Sequence, residues 1–327
     1  MKKALCILLT LLLTVSCFTG CSQPSEPTTV PTTEPETTTV PAPTETPEEA
    51  KVLKIMILGS SRSVNTFQLL YEAFKDQMPE QDLVLGIMYY SGCSMSMHAN
   101  FIMNNESVYD YYRNDSGKWE IQKGVHMDVG LQDQNWDVVL LQAGNGDLTN
   151  NMNESCRKFL KNYVDSKVDH PHTFWWHSTW FNSTDPKLYE GAKTSLKPEN
   201  IDQYAQLTST NNAAKEYVLN DPMFAGHITS GTPMMYALKI LEIPEIELYR
   251  DHTHLSDFGC LLVGYAWYAQ FTGKAVTEIN LESIPVHLRH KVYQSLGDMV
   301  VTEEMKEAII KTVDYTLKNP WAVPVKE

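Results

Sequence analysis

Apolar residues fall into short continuous runs along most of the chain, separated by longer stretches of mixed polarity. Residues 52–59, VLKIMILG, form the first run. It is almost unbroken rather than alternating, as expected of a strand covered on both faces in a parallel sheet. Residues 82–90 (DLVLGIMYY), 136–142 (WDVVLLQ) and 172–180 (HTFWWHSTW) repeat the pattern, and GHIT at 226–229 is a shorter version. Residues 109–122, YDYYRNDSGKWEIQ, predict a β-hairpin turning on Asn114-Asp115-Ser116-Gly117. Helical patterns fall near 64–74, 154–166, 201–219, 233–241, 255–271, 284–297 and 302–317. Strands alternating with helices predict a three-layer α/β/α sandwich around a doubly wound parallel sheet. Residues 51–327 show no internal repeat and no second linker, and their length suits one domain.

The first fifty residues have a different composition. MKKALCILLTLLLTVSCFTGC places two lysines before an apolar run that is too short to span a membrane and is followed by small residues, which marks 1–20 as a secretory signal. Its end, Phe18-Thr19-Gly20-Cys21, resembles a bacterial lipobox with Phe in place of the usual Leu. Cleavage before Cys21 and lipidation of Cys21 are therefore expected, which would anchor the protein on the extracytoplasmic face of the cell membrane. Residues 22–50 are nearly all Thr, Pro and Glu with no aromatic residue. Such a segment buries too little apolar surface to offset its ordering entropy, so 21–50 is expected to be an extended, disordered tether. The full chain carries a net charge of −14, and loss of Lys2 and Lys3 with the signal gives −14 − 2 = −16. That balance argues against nucleic acid as a partner and against electrostatic adhesion to anionic lipid. Cys93, Cys156 and Cys260 remain in the domain, an odd number without close spacing, which is neither a disulfide scaffold nor a zinc site.

Ligands in doubly wound sheets bind at the carboxyl ends of strands. Three predicted strands end in small, polar, glycine-bearing sequences: GSSRS, SGCS and QAGNGD. Far downstream, DHTHLSDFG (251–259) precedes a helix. Asp251 and His254 stand three apart, so on a tight turn the carboxylate reaches one imidazole nitrogen and leaves the other available as a base. Ser61, just past the first strand, is a candidate nucleophile whose own N–H helps bind an oxyanion. Gly92 offers a second unobstructed N–H, and the side-chain amide of Gln142 or Asn145 a third. The plainer reading of Ser61 is a helix cap. His252 with His254 lacks a third ligand nearby, so neither a metal nor a cofactor is expected. His98 is either a substrate contact or an ordinary helix residue. Trp180 and Phe181 either form a platform for a sugar ring or pack in the core.

GSSRS, SGCS, QAGNGD and DHTH, in this order, resemble the four sequence blocks of the SGNH (GDSL-type) hydrolases, and are most similar to an uncharacterised branch known only as a domain of unknown function. The likeness covers essentially all of 51–275. It implies an SGNH/flavodoxin-like fold and a metal-independent serine esterase, often a carbohydrate O-deacetylase. Ser61 would be its nucleophile, His254 its base, Asp251 the orienter of the base and Gly92 an oxyanion donor. Two features depart from the pattern. Ser60 stands where Asp or Asn is common and Arg62 follows the serine, and in the third block the asparagine is displaced by one position, to Asn145. These departures support a competing expectation, a catalytically inactive, lipid-anchored glycan-binding protein with the same fold. A solute-binding lipoprotein would need two similar lobes, and the sequence holds no duplication.

Overall fold

Residues 52–143, 152–285 and 298–326 are described by the structure, a computed structural model. The expected signal, Cys21 and the expected tether lie outside them. The strands are β1 (Leu53–Gly59), β2 (Leu83–Tyr89), β3 (Tyr109–Asn114), β4 (Trp119–Val125), β5 (Val138–Ala143), β6 (Thr173–Ser178) and β7 (Phe224–Thr229). They form one sheet in the order β4-β3-β2-β1-β5-β6-β7. β2, β1, β5, β6 and β7 are parallel. The expected hairpin, β3–β4, joins this mostly parallel sheet as an antiparallel edge. Its turn forms because Asn114 Oδ1 accepts from the N–H groups of Ser116 (3.3 Å) and Gly117 (2.8 Å), with Gly117 at φ +82°, where a side chain would be strained.

The helices are α1 (Ser61–Phe67), α2 (Leu70–Gln77), α3 (Met95–Met103), α4 (Met127–Leu131), α5 (Met152–Asp165), α6 (Gln203–Tyr217), α7 (Gly231–Lys239), α8 (Glu245–Leu248), α9 (Asp257–Thr272) and α10 (Glu303–Lys318). Side chains alternate across the sheet into two cores. Ile55, Ile57, Leu85, Ile87 and Leu140 face the α1, α2, α7, α9 and α10 side. Met56, Leu58, Met88, Val139, Leu141 and Trp176 face the other. Both faces are covered, which is why these strands read as continuous apolar runs. α9 is apolar around nearly its whole circumference because it lies between the sheet and the outer helices. The single helix expected near 64–74 is two, α1 and α2. They part at Gln68-Leu69, where α9 passes so closely that a Cβ on Gly264 would lie 3.1 Å from the Leu69 carbonyl oxygen. The helix expected at 284–297 is corrected at its start: Ser283–Ile284 (β8) pairs antiparallel with Met299–Val300 (β9). The rest of that expectation, 286–297, lies outside the described residues.

The chain places β2 on one side of β1 and later β5 on the other. The topological switch, where such sheets open a crevice, is therefore at the carboxyl end of β1.

One buried group makes a pH-dependent contribution to the stability of the fold. Glu72 in α2 is 7% exposed, and neither carboxylate oxygen has a hydrogen-bond partner among the described residues. Burial raises its pKa from 4.5 to about 8. The folded state thus holds a proton that the unfolded chain releases, so this contribution to stability is complete below 4.5 and is lost as pH rises to about 8. Glu72→Gln should stabilise the protein by on the order of 1–3 kcal/mol at pH 9 and by much less at pH 5. Urea unfolding at both pH values measures this, and parallel pH profiles for the two proteins would refute it.

Candidate active site

β1 delivers Gly59 to the switch point, and the three serines that follow behave differently. Ser60 and Ser63 are buried, at 6% and 0% exposure. Ser63 Oγ accepts the Ser60 N–H at 3.2 Å and donates to Gln142 Oε1, while Gln142 Nε2 donates to Ser60 Oγ at 3.0 Å. Ser61, between them, is half-buried at the first position of α1. Gly59 has to be glycine for this packing, since a Cβ there would lie 1.8 Å from Ser63 Oγ and 3.1 Å from Gln142 Oε1. The neighbouring strand runs in register, Gly59 opposite Tyr89, and the Tyr90 N–H reaches the Gly59 carbonyl at 3.4 Å. Gly92 follows two residues later, exposed and at φ +64°, a left-handed conformation suited to glycine.

The 251–254 segment folds on itself before α9. Tyr249 and Leu255 form an isolated bridge, and the Arg250 N–H donates to the His254 carbonyl at 3.1 Å. Ser256 caps α9, its Oγ accepting from the Gly259 N–H at 3.0 Å. Within this closed turn Asp251 Oδ1 accepts the N–H groups of Thr253 (2.9 Å) and His254 (2.8 Å). Its Oδ2 lies 2.8 Å from His254 Nδ1. Burial alone would raise the Asp251 carboxyl. The hydrogen bond and charge of His254, with the two backbone N–H groups, outweigh burial and hold it far below the ordinary carboxylate range. An ionised carboxylate on Nδ1 fixes the imidazole with its proton on that side and turns Nε2 toward the opposite side of the ring.

Arg62 joins these two parts. Its guanidinium donates to Thr253 Oγ1 (2.9 Å), Asn182 Oδ1 (2.9 Å), Thr179 Oγ1 (3.2 Å) and the Trp180 carbonyl, and it lies 5.3 Å from the centroid of the Trp180 ring. Burial lowers its pKa to about 10, against the opposing influence of Tyr249 and Asp251, so it remains a cation at neutral pH. The 179–183 segment is bound to the same turn: Trp180 Nε1 donates to the Thr253 carbonyl at 2.9 Å and the Ser183 N–H to the His252 carbonyl at 2.9 Å. Glu245 secures the other side of that segment. Burial would raise its carboxyl, but bonds from the Ser183 and Thr184 hydroxyls and from the N–H groups of Thr184 and Asp185 hold it low.

Several expected site residues have other duties. Trp180 and Phe181 are 0% and 1% exposed, so neither offers a face to a sugar; Trp180 lies beneath Arg62 instead. His98 is 1% exposed, stacked on Tyr109 and bonded to its hydroxyl at 3.0 Å, which removes it from contact with substrate. Gln142 is 2% exposed and turned toward Ser60 and Ser63, so it supports the serine segment from behind rather than facing outward as a donor. Asn145 lies outside the described residues. His252 is half-buried, its ring 5.0 Å from that of Tyr189. Among the described residues no group of three or more His, Cys, Asp or Glu is placed to hold a metal ion. Two surface cavities, of about 630 and 420 Å³, are lined by 277–282 with α10 and by 165–172, and neither includes Ser61 or His254. Sequence reasoning missed Arg62, Thr253, Asn182 and Glu245 as builders of the site. The bonds by which they join the site's segments span 60 or more positions, and Arg62 carried the only signal, as a charge beside an otherwise small and neutral block.

The chain belongs to the family described as "Domain of unknown function (DUF4886)", whose model matches residues 54–292. Among solved structures, a DUF4886 family protein from Bacteroides uniformis ATCC 8492 has a TM-score of 0.65 and 21% sequence identity, over 84% of this chain and 98% of that one. That likeness is one of fold. The acetyl xylan esterase AlAXEase follows at a TM-score of 0.40 and 14% identity, over 66% of this chain and 99% of its own. A mutant of Axe2, an acetyl-xylooligosaccharide esterase from Geobacillus Stearmophilus, has a TM-score of 0.39 and 8% identity, over 69% and 97%. No curated protein matches the chain.

The packing at Gly59 yields a specific expectation. Gly59→Ala should cost about 1–3 kcal/mol, because the new methyl displaces Ser63 Oγ and breaks its bonds to Ser60 and Gln142. Adding Ser63→Ala should recover part of that loss, since it removes the oxygen 1.8 Å from the methyl and leaves the milder 2.8 Å approach to the residue 63 Cβ. Urea unfolding of both single variants and the double variant tests this, and strict additivity would contradict it.

Proposed function

We propose that this protein is a serine ester hydrolase that removes acyl groups from carbohydrate at the cell surface. One observation carries the proposal: the Asp251–His254 pair is assembled within a single turn, and Arg62, the residue after Ser61, bonds that turn at Thr253. In the scheme Ser61 Oγ attacks the ester carbonyl carbon while its proton passes to His254 Nε2. Asp251 stabilises the imidazolium that results. The N–H groups of Ser61 and Gly92 face the developing oxyanion, which needs donors fixed in place before the reaction. Collapse of the tetrahedral species expels the alkoxide, which takes the proton back from His254. Water, deprotonated by the same nitrogen, then attacks the acyl-enzyme and restores Ser61. No metal takes part. The choice of a carbohydrate ester rests on the resemblance to the SGNH blocks.

Arg62 no longer favours the competing reading of an inactive glycan-binding protein. Its guanidinium is occupied by acceptors within the protein.

Turnover of an activated acetyl ester, assayed with a chelator present, tests the scheme. Ser61→Ala and His254→Ala should each lower kcat/KM by about 10³-fold or more, and the double variant should be little worse than either, because the members of one catalytic unit are not additive. Asp251→Ala should keep measurable residual activity, since it only orients and stabilises the base. Circular dichroism confirms folding. Ser61→Ala within a few-fold of wild type would end the proposal.

The location is proposed from the signal, the Thr/Pro/Glu tether and Cys21. Full-length protein should fractionate with membranes, and Cys21→Ala should release it to the soluble fraction. Retention of that variant on membranes would exclude a lipid anchor at this cysteine.

A further inference from the structure

Arg62 makes more contacts than a helix surface residue needs. It lies in the first turn of α1, where a side chain ordinarily reaches solvent, yet its guanidinium finds oxygen acceptors on Thr179, Trp180, Asn182 and Thr253 and the Trp180 ring nearby. A guanidinium held out of water is costly unless its donors are met, and its planar fork meets several acceptors in fixed directions. With these bonds made, Arg62 has little capacity left to bind a substrate anion. What the bonds achieve is a span. Residue 61 is covalently next to Arg62. Residue 254 is next to Thr253, whose hydroxyl accepts from Arg62 and whose N–H donates to Asp251. The two segments are 191 positions apart in the chain, and Arg62 to Thr253 is a direct bond between them.

We propose that Arg62 is a positioning residue, which sets the distance and angle between Ser61 and His254 through its bond to Thr253. The proposal rests on the serine hydrolase reading given above. It reverses the significance of the charge in GSSRS, from a departure that argued against catalysis to the part that aligns it. Misplacing a nucleophile and base by about 1 Å costs on the order of 10²-fold in rate without changing what the surface binds. The expected signature is therefore a loss in kcat with KM nearly constant.

The test uses the full-length protein, a small acetyl ester, and the variants Arg62→Lys, Arg62→Ala, Thr253→Val and Thr253→Ser. Arg62→Ala and Thr253→Val should each lower kcat by about 10–100-fold with KM within about 2-fold. Arg62→Lys should fall between Arg62→Ala and wild type, because an ammonium reaches one acceptor where the guanidinium reaches four. Thr253→Ser, which keeps the hydroxyl, should stay near wild type. Arg62→Ala combined with Thr253→Val should be no slower than Arg62→Ala alone, since both remove the same bond. Millimolar guanidinium should restore part of the Arg62→Ala rate and none of the Thr253→Val rate, a result that a general loss of folding would not give. Thr253→Val is the milder change and decides the question if Arg62→Ala folds poorly. If wild type turns over the ester and Thr253→Val keeps full kcat, or the double variant is additive, the positioning role is overturned and the hydrolase reading stands. If wild type shows no turnover and no covalent labelling at Ser61, both fall.

Discussion

The bond network around the Arg62 guanidinium is the constraint on which the rest of the site depends. β1, the exit of β6 and the turn before α9 are separate in sequence, and residues 179–185, which follow β6, have no regular secondary structure to fix them. Loops of that kind are held only by specific polar contacts. Arg62 supplies them from one side, and Glu245 supplies them from the other by accepting from Ser183, Thr184 and Asp185. A cation and an anion, each paired with neutral donors or acceptors rather than with one another, thus fix the 179–185 segment between them. The arrangement avoids the uncertain balance of a buried ion pair, in which desolvation of two charges competes with their attraction.

Asp251 solves a smaller problem by local means. One carboxylate closes its own turn through two backbone N–H groups and orients His254 with its other oxygen. The turn that shapes the loop and the interaction that sets the imidazole therefore share a side chain, and loss of the carboxylate affects both. This is why the pair was readable from four consecutive letters: every partner lies within three positions.

The same distinction separates what the sequence revealed from what it hid. The strands around 52–59, 82–90 and 136–142 were visible because a sheet covered on both faces demands unbroken apolar runs, and the Asn114–Gly117 hairpin because its hydrogen bonds are local. The attachment of that hairpin as an antiparallel edge was not visible, since pairing with β2 depends on a strand more than twenty residues away. Trp180 and His98, for which two readings stood open, and Gln142, expected as a candidate oxyanion donor, share one difficulty. Each has a polar atom and an apolar body, and sequence alone does not reveal whether a distant partner, here Thr253, Tyr109 or Ser60, will draw it inward. Glu72 is the reverse case, a charge-bearing residue buried with no partner among the described residues, in a helix whose pattern gave no warning of it.

Three serines lie within four residues at the end of β1, and the account makes only one of them a nucleophile. Ser60 and Ser63 are committed to Gln142, while Ser61 begins α1 beside the residue that reaches toward His254. The most direct measurement is to treat the purified protein with a fluorophosphonate and locate the adduct by mass spectrometry of the peptide spanning β1 and α1. A single adduct on Ser61, abolished in His254→Ala, is the predicted result. An adduct on Ser60 or Ser63, or no adduct on this peptide from a folded protein, would contradict the account.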